Sequence, residues 1–167
     1  KQIQIIYDVF QQLKKLLISK YGNSSTNFGD EGGYVPCGIK TNYQALDILS
    51  ESITACNLVP GEDVFIALDC AASEFYDKNT GRYEIEENMN LTGLQLISYY
   101  KNMINQFPFI KSIEDPFDEA DYQSWIEFAN HCPQETNIVG DDLFCSNIKL
   151  VKQGLDEFWA NSLLLKV

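Results

Sequence analysis

The sequence predicts an α/β fold, a partial TIM-like (β/α) barrel of about four parallel strands with flanking helices. Three observations lead there. From residue 41 onward, short apolar runs alternate with capped segments of helical apolar spacing. Such alternation builds a parallel sheet with right-handed crossovers. Four of the runs end in a charged residue: 64–68 in Asp69, 109–113 in Glu114, 137–140 in Asp141 and 162–165 in Lys166. In a parallel barrel those ends lie on one face, where active sites are built. Finally, 167 residues suffice for one domain with a real core, and a single domain over 1–167 is expected.

The elements follow in order. Residues 3–20 place Ile3, Ile6, Phe10, Leu13 and Leu17 at helical spacing, and Gly22 can end that helix. A polar loop, 23–36, is centred on Gly29-Asp30-Glu31-Gly32-Gly33. Its plain reading is a mobile turn, yet acids held between glycines can approach a ligand closely. Thr41 with Gln44, and Thr92 with Gln95, read as capping boxes opening two helices. Pro60-Gly61 closes the first unit before the strand at 64–68. The twenty or so residues after Asp69 form a long connection, more often functional than idle. Within it, segments 74–76 and 82–84 suggest a small hairpin. Leu96, Tyr100, Met103 and Phe107 give the next helix a buried face. Pro116 stops the strand that ends at Glu114, having no N–H for a ladder. Trp125, Phe128 and Ala129 mark a helix over about 120–130. Leu150, Val151, Leu155 and Phe158 mark another before the last strand. The first residues read as mid-helix and the last as strand, so the chain is expected to be cut from something longer.

Composition narrows the function. A net charge of −12 disfavours nucleic acid and anionic membrane as partners and suits cation binding. No run of about 18 apolar residues exists to span a membrane. Cys37, Cys56, Cys70, Cys132 and Cys145 include no CxxC pair, and His131 is the sole histidine. A zinc cluster or a Cys–His nucleophile therefore has little basis, and reduced thiols in a cytosolic protein are the simplest reading.

Carboxylates converging on one face repel each other, and without a cation at least one should take up a proton. Hard oxygen ligands from separate strand ends suit Mg2+. Asp69, Glu114 and Asp141 are thus candidate magnesium ligands, although acids at strand ends also cap the helices that follow. A lysine at a strand end often just reaches solvent. Beside a divalent metal its ammonium form would be disfavoured and its pKa lowered, which makes Lys166 a candidate general base. Metal plus lysine is a kit for removing a proton from carbon next to a carboxylate.

Five motifs then carry a resemblance. Gly29-Asp30-Glu31-Gly32-Gly33, Leu68-Asp69-Cys70-Ala71-Ala72-Ser73-Glu74-Phe75, Ser112-Ile113-Glu114-Asp115-Pro116-Phe117, Gly140-Asp141-Asp142-Leu143 and Leu163-Leu164-Leu165-Lys166-Val167 resemble the enolases, in order and over nearly the whole chain. The resemblance implies that Asp69, Glu114 and Asp141 match the family's Mg2+ ligands. It implies that Lys166 matches the proton-abstracting lysine, and Glu31 the carboxylate that assists loss of the hydroxyl. The implied reaction is the glycolytic dehydration of 2-phosphoglycerate to phosphoenolpyruvate. A small-molecule substrate, a homodimeric full-length parent and a cytoplasmic setting are implied with it.

The family's amino-terminal domain, its first barrel strands and the strands after the lysine have no counterpart among these residues. Two other readings stand beside this one. One is another superfamily member, a racemase or cycloisomerase, disfavoured by the 29–33 loop and the long connection after Asp69. The other is an enolase-like binding or structural protein without catalysis, disfavoured by the five intact polar positions. Alone, residues 1–167 are expected to be inactive and not a stable monomer. Half a barrel leaves two open strand edges and inward strand faces, expected to be rich in Val, Ile and Leu, without a partner layer.

Overall fold

The computed structural model describes residues 2–166, which fall into two compact units divided between Val64 and Phe65. In the first unit, helix α1 spans Gln2–Tyr21 and stops at Gly22, whose φ of +83° suits a residue without a Cβ. The loop that follows bridges Phe28 to Tyr34 and turns through Gly29–Gly33. Helix α2, Asn42–Ala55, begins at Thr41, whose hydroxyl accepts the Gln44 N–H. The Gln44 side-chain carbonyl accepts the Lys40 N–H. Val9, Ile53 and Val64 form a small buried cluster, flanked by Ile5, Cys56 and Leu58. Lys20 pairs with Glu51 across the two helices.

The expected strand at 64–68 begins two residues later, because Val64 is already committed. Its carbonyl accepts the Gly61 N–H, and it bridges Pro60. Strand β1 is Ile66–Asp69. After it come β2, Tyr76–Asp77, β3, Arg82–Glu86, and β4, Met89–Leu91, a three-stranded antiparallel sheet. The first two are the anticipated hairpin, with Asp77 accepting from Asn79 and Thr80 in its turn. The third strand was not anticipated. Its turn places Asn88 at φ +64°, a conformation asparagine tolerates.

The remaining elements are helix α3, Gly93–Gln106, strand β5, Ile110–Glu114, helix α4, Tyr122–His131, strand β6, Asn137–Gly140, helix α5, Ile148–Glu157, and strand β7, Ser162–Leu163. Thr92 and Gln95 complete the capping box of α3. The four long-range strands form one parallel sheet in the order β1-β5-β6-β7, so the strands are neighbours in chain order, as a barrel requires. Among the described residues the sheet does not close, and β1 and β7 are its edges.

Register sorts the side chains of this sheet into rows. Leu68, Ile113 and Ile138 stand side by side, with Ile113 and Ile138 buried. Leu96, Tyr100 and Met103 of α3 and Trp125 and Phe128 of α4 are buried as well. Phe117 meets Tyr83, Tyr100, Trp125 and Phe128 edge-on or nearly so. The alternate rows point to the other face: Ala67, Ser112 and Asn137, then Asp69, Glu114, Val139 and Ser162. The expectation of a Val-, Ile- and Leu-rich inward face is therefore corrected. Small and polar side chains occupy it, and Val139 is the one large aliphatic in these two rows.

Helix α5 also departs from its expected packing. Leu155 and Phe158 are exposed, and Phe158 adopts the left-handed cap at φ +60°. The helix is seated through Gly154, where a Cβ would lie 2.5 Å from Phe144 and 3.1 Å from Trp159. A backbone-to-ring contact of this kind leaves no apolar periodicity in the sequence.

Candidate metal centre

The acidic residues that end the strands meet at one end of the second unit's sheet. Asp69 closes β1 directly beside Glu114 at the end of β5. Glu114 is in register with Val139, and Asp141 stands two residues further along. The chain reaches Lys166 just beyond β7, with the Leu164 N–H on the Gly140 carbonyl and the Lys166 N–H on Ser146 Oγ. Lys166 Nζ lies 2.6 Å from Asp141 Oδ2. The lysine side chain is 65% exposed and the aspartate 16%. Four of the sequence-derived site residues are thus gathered in one place. Glu31, the fifth, is exposed in the turn of the first unit, where Gly29 N–H donates to Gly33 O and Gly32 N–H to Gly29 O.

Oxygens of Glu114, Asp115 and Asp141 lie within 4.8 Å of one another. Asp69 is outside that group, and Asp115 inside it was not singled out from the sequence. Its signal was present but ambiguous, since a carboxylate next to a strand-end carboxylate reads as a loop residue. Asp115 is buried at φ +41°. Its Oδ1 accepts the Asp141 N–H at 3.0 Å and its Oδ2 the Asp142 N–H at 2.9 Å.

Electrostatics fit a divalent cation. Burial, then the charges of Asp69, Asp115 and Asp141, push the Glu114 carboxyl above the usual carboxylate range. Asp115 is also pushed up by burial, against the opposing pull of its two N–H donors. A cation bound to hard oxygens would relieve this repulsion, so the donor set is compatible with a divalent metal. Lys166 faces the same carboxylates directly. Its ammonium is held above the ordinary lysine value by the Asp141 hydrogen bond first, because the charges facing it are Asp141, Asp142 and Glu114.

Parallel strands joined through helices, with carboxylates and a lysine at their C-terminal ends, define an enzyme domain of the (β/α)-barrel class. Within that class the assignment is specific. The family model for the enolase C-terminal TIM barrel domain matches residues 1–167, and the chain belongs to that family. No helix among the described residues is long and apolar enough to cross a membrane.

Proposed function

We propose that this chain carries part of the active site of a magnesium-dependent enolase, which dehydrates 2-phosphoglycerate to phosphoenolpyruvate in the cytoplasm. The observation that carries the reading is the delivery of Asp69, Glu114, Asp141 and Lys166 to one sheet end by four successive parallel strands in an enolase-family chain. Asp69, Glu114 and Asp141 would hold the metal. Mg2+ bound there supplies positive charge that stabilises the anion left when the C2 proton departs.

The residues themselves do the rest. In its neutral form, which a cation held by the neighbouring carboxylates would favour, Lys166 takes the C2 proton onto Nζ, and Asp141 Oδ2 at 2.6 Å stabilises the ammonium that forms. Glu31, in the glycine-flanked turn, gives a proton to the C3 hydroxyl directly or through water, and the hydroxyl leaves as water. The electron pair from the C2–H bond becomes the C2–C3 double bond.

The test follows product formation in the intact protein by the ultraviolet absorbance of the enol phosphate. Activity should require a divalent cation, and Lys166→Ala should lower turnover by about 10²–10⁴-fold. Full activity in chelator, or in Lys166→Ala, would contradict the reading.

A further inference from the structure

We infer that Asp115 is a positioning residue, setting where Asp141 presents its carboxylate to the metal and to Lys166, without being a metal ligand itself. The inference rests on the metal reading above and concerns a residue to which that reading gives no role.

Residue 115 is tied to three strand ends at once. Its N–H donates to Val139 O at 3.0 Å, in β6. Its carbonyl accepts the Ala72 N–H at 3.0 Å, in the segment after β1. Its side chain grips the two N–H groups that follow β6, those of Asp141 and Asp142. The carboxylate therefore fixes the backbone from which the Asp141 side chain departs. The same short stretch is pinned from its other side. A Cβ on Gly140 would lie 2.6 Å from the Phe144 ring and 3.0 Å from Leu143. Held between Asp115 and Phe144, residues 140–142 have little room to shift.

Proximity to Glu114 and Asp141 would equally suit a third ligand. The hydrogen bonds favour the anchoring role. Each Asp115 oxygen already accepts a backbone N–H at ordinary length, and the residue is 5% exposed. Charge-assisted bonds from two N–H groups hold a carboxylate as an anchor. Groups that orient metal ligands in this way typically tune affinity without touching the ion.

The positive φ of Asp115 belongs to the same arrangement. A non-glycine residue is held in this sparsely populated region only when its surroundings over-determine it. Here the backbone and both carboxylate oxygens do so.

The test uses Mn2+ as the probe on the intact protein, by electron paramagnetic resonance titration and by counting bound waters. Unmutated protein, Glu114→Gln and Asp115→Asn are compared. Asparagine keeps the size but offers one acceptor oxygen, so one of the two N–H groups loses its partner. Asp115→Asn should weaken Mn2+ by about 10–100-fold and broaden the spectrum of the bound ion, with the number of bound waters unchanged. One additional bound water would make Asp115 a ligand and overturn the inference. Unchanged affinity and spectrum would reduce it to a purely structural role and also overturn it. If the unmutated protein binds no Mn2+, the metal reading falls and takes the inference with it. Normal binding there, lost in Glu114→Gln and unaltered in Asp115→Asn, overturns the inference alone. Should Asp115→Asn fail to fold, amide hydrogen exchange at 141 and 142 in the unmutated protein decides. Slow exchange is expected, and exchange at the rate of an open loop overturns the grip.

Discussion

Lys166 Nζ forms an ion pair with Asp141 Oδ2 at 2.6 Å, joining the third residue after β7 to the residue after β6. The pair links the proposed base to one of its proposed metal ligands. It also explains why the lysine is held in its charged form. A substitution at either residue is therefore expected to disturb both proton transfer and metal binding.

Glu114→Gln should weaken divalent-metal binding by about 10–100-fold or more in the intact protein, measured by calorimetry. The same change should stabilise the metal-free fold at neutral pH. The Glu114 pKa is raised in the folded state, so its stabilising contribution is complete below the ordinary value of 4.5 and is lost as pH rises through the folded value. The melting advantage of glutamine should appear at pH 7 and vanish below about pH 4. Equal melting at both pH values would contradict the repulsion among these carboxylates.

Ser73 ties the segment after β1 to the one after β5. Its hydroxyl donates to Glu119, and it accepts the Glu119 N–H at 3.3 Å. The Ser73 hydrogen bond is the main cause of a lowered Glu119 pKa. A lowered carboxylate contributes stability above its unfolded value and loses it as pH falls through its folded value. Ser73→Ala should cost about 1 kcal/mol near pH 7, a modest figure for a partly exposed hydrogen bond. The cost should shrink as pH falls below the ordinary glutamate value of 4.5 and Glu119 takes up its proton. A cost that is independent of pH would argue against the charge-assisted bond.

Much of this arrangement was legible in the sequence, because its signals are local. The cap at Thr92, the stop at Gly22 and the charged ends of four apolar runs need only neighbouring residues to be read. The shift of β1 to Ile66 was less accessible, since it depends on how the 59–64 turn uses the Val64 carbonyl. Asp115 and Gly154 act through partners 26 residues away and in a ring packed against a backbone, respectively. Their roles depend on tertiary contacts that no periodicity encodes. The polar open face of the sheet had a visible signal in Ala67, Ser112 and Asn137. Reading the apolar runs as uniformly buried concealed it.

Gly140→Ala should be costly because its Cβ would drive into Phe144, a ring that stacks in turn on Trp159. Overpacking of this kind typically costs about 1–3 kcal/mol. Thermal melting of the intact protein should fall accordingly, with metal affinity falling alongside because Asp141 is the next residue. A neutral substitution would show that the ring yields freely.

Thiol reactivity offers a check on burial. The Cys70 thiol is pushed up to about 12, chiefly by burial. Cys37 and Cys145 are exposed. A disulfide reagent at mildly alkaline pH should label the exposed pair in the native protein and reach Cys70 only on denaturation. Labelling of Cys70 as fast as Cys145 would mean that the segment after β1 opens readily.

The most direct measurement is exchange of the C2 proton of 2-phosphoglycerate with deuterated solvent, in the intact protein. In the proposed reaction Lys166 removes that proton and Glu31 assists the later loss of hydroxyl. Lys166→Ala should abolish the exchange, while Glu31→Gln should retain exchange better than it retains overall dehydration. Undiminished exchange in Lys166→Ala would contradict the account.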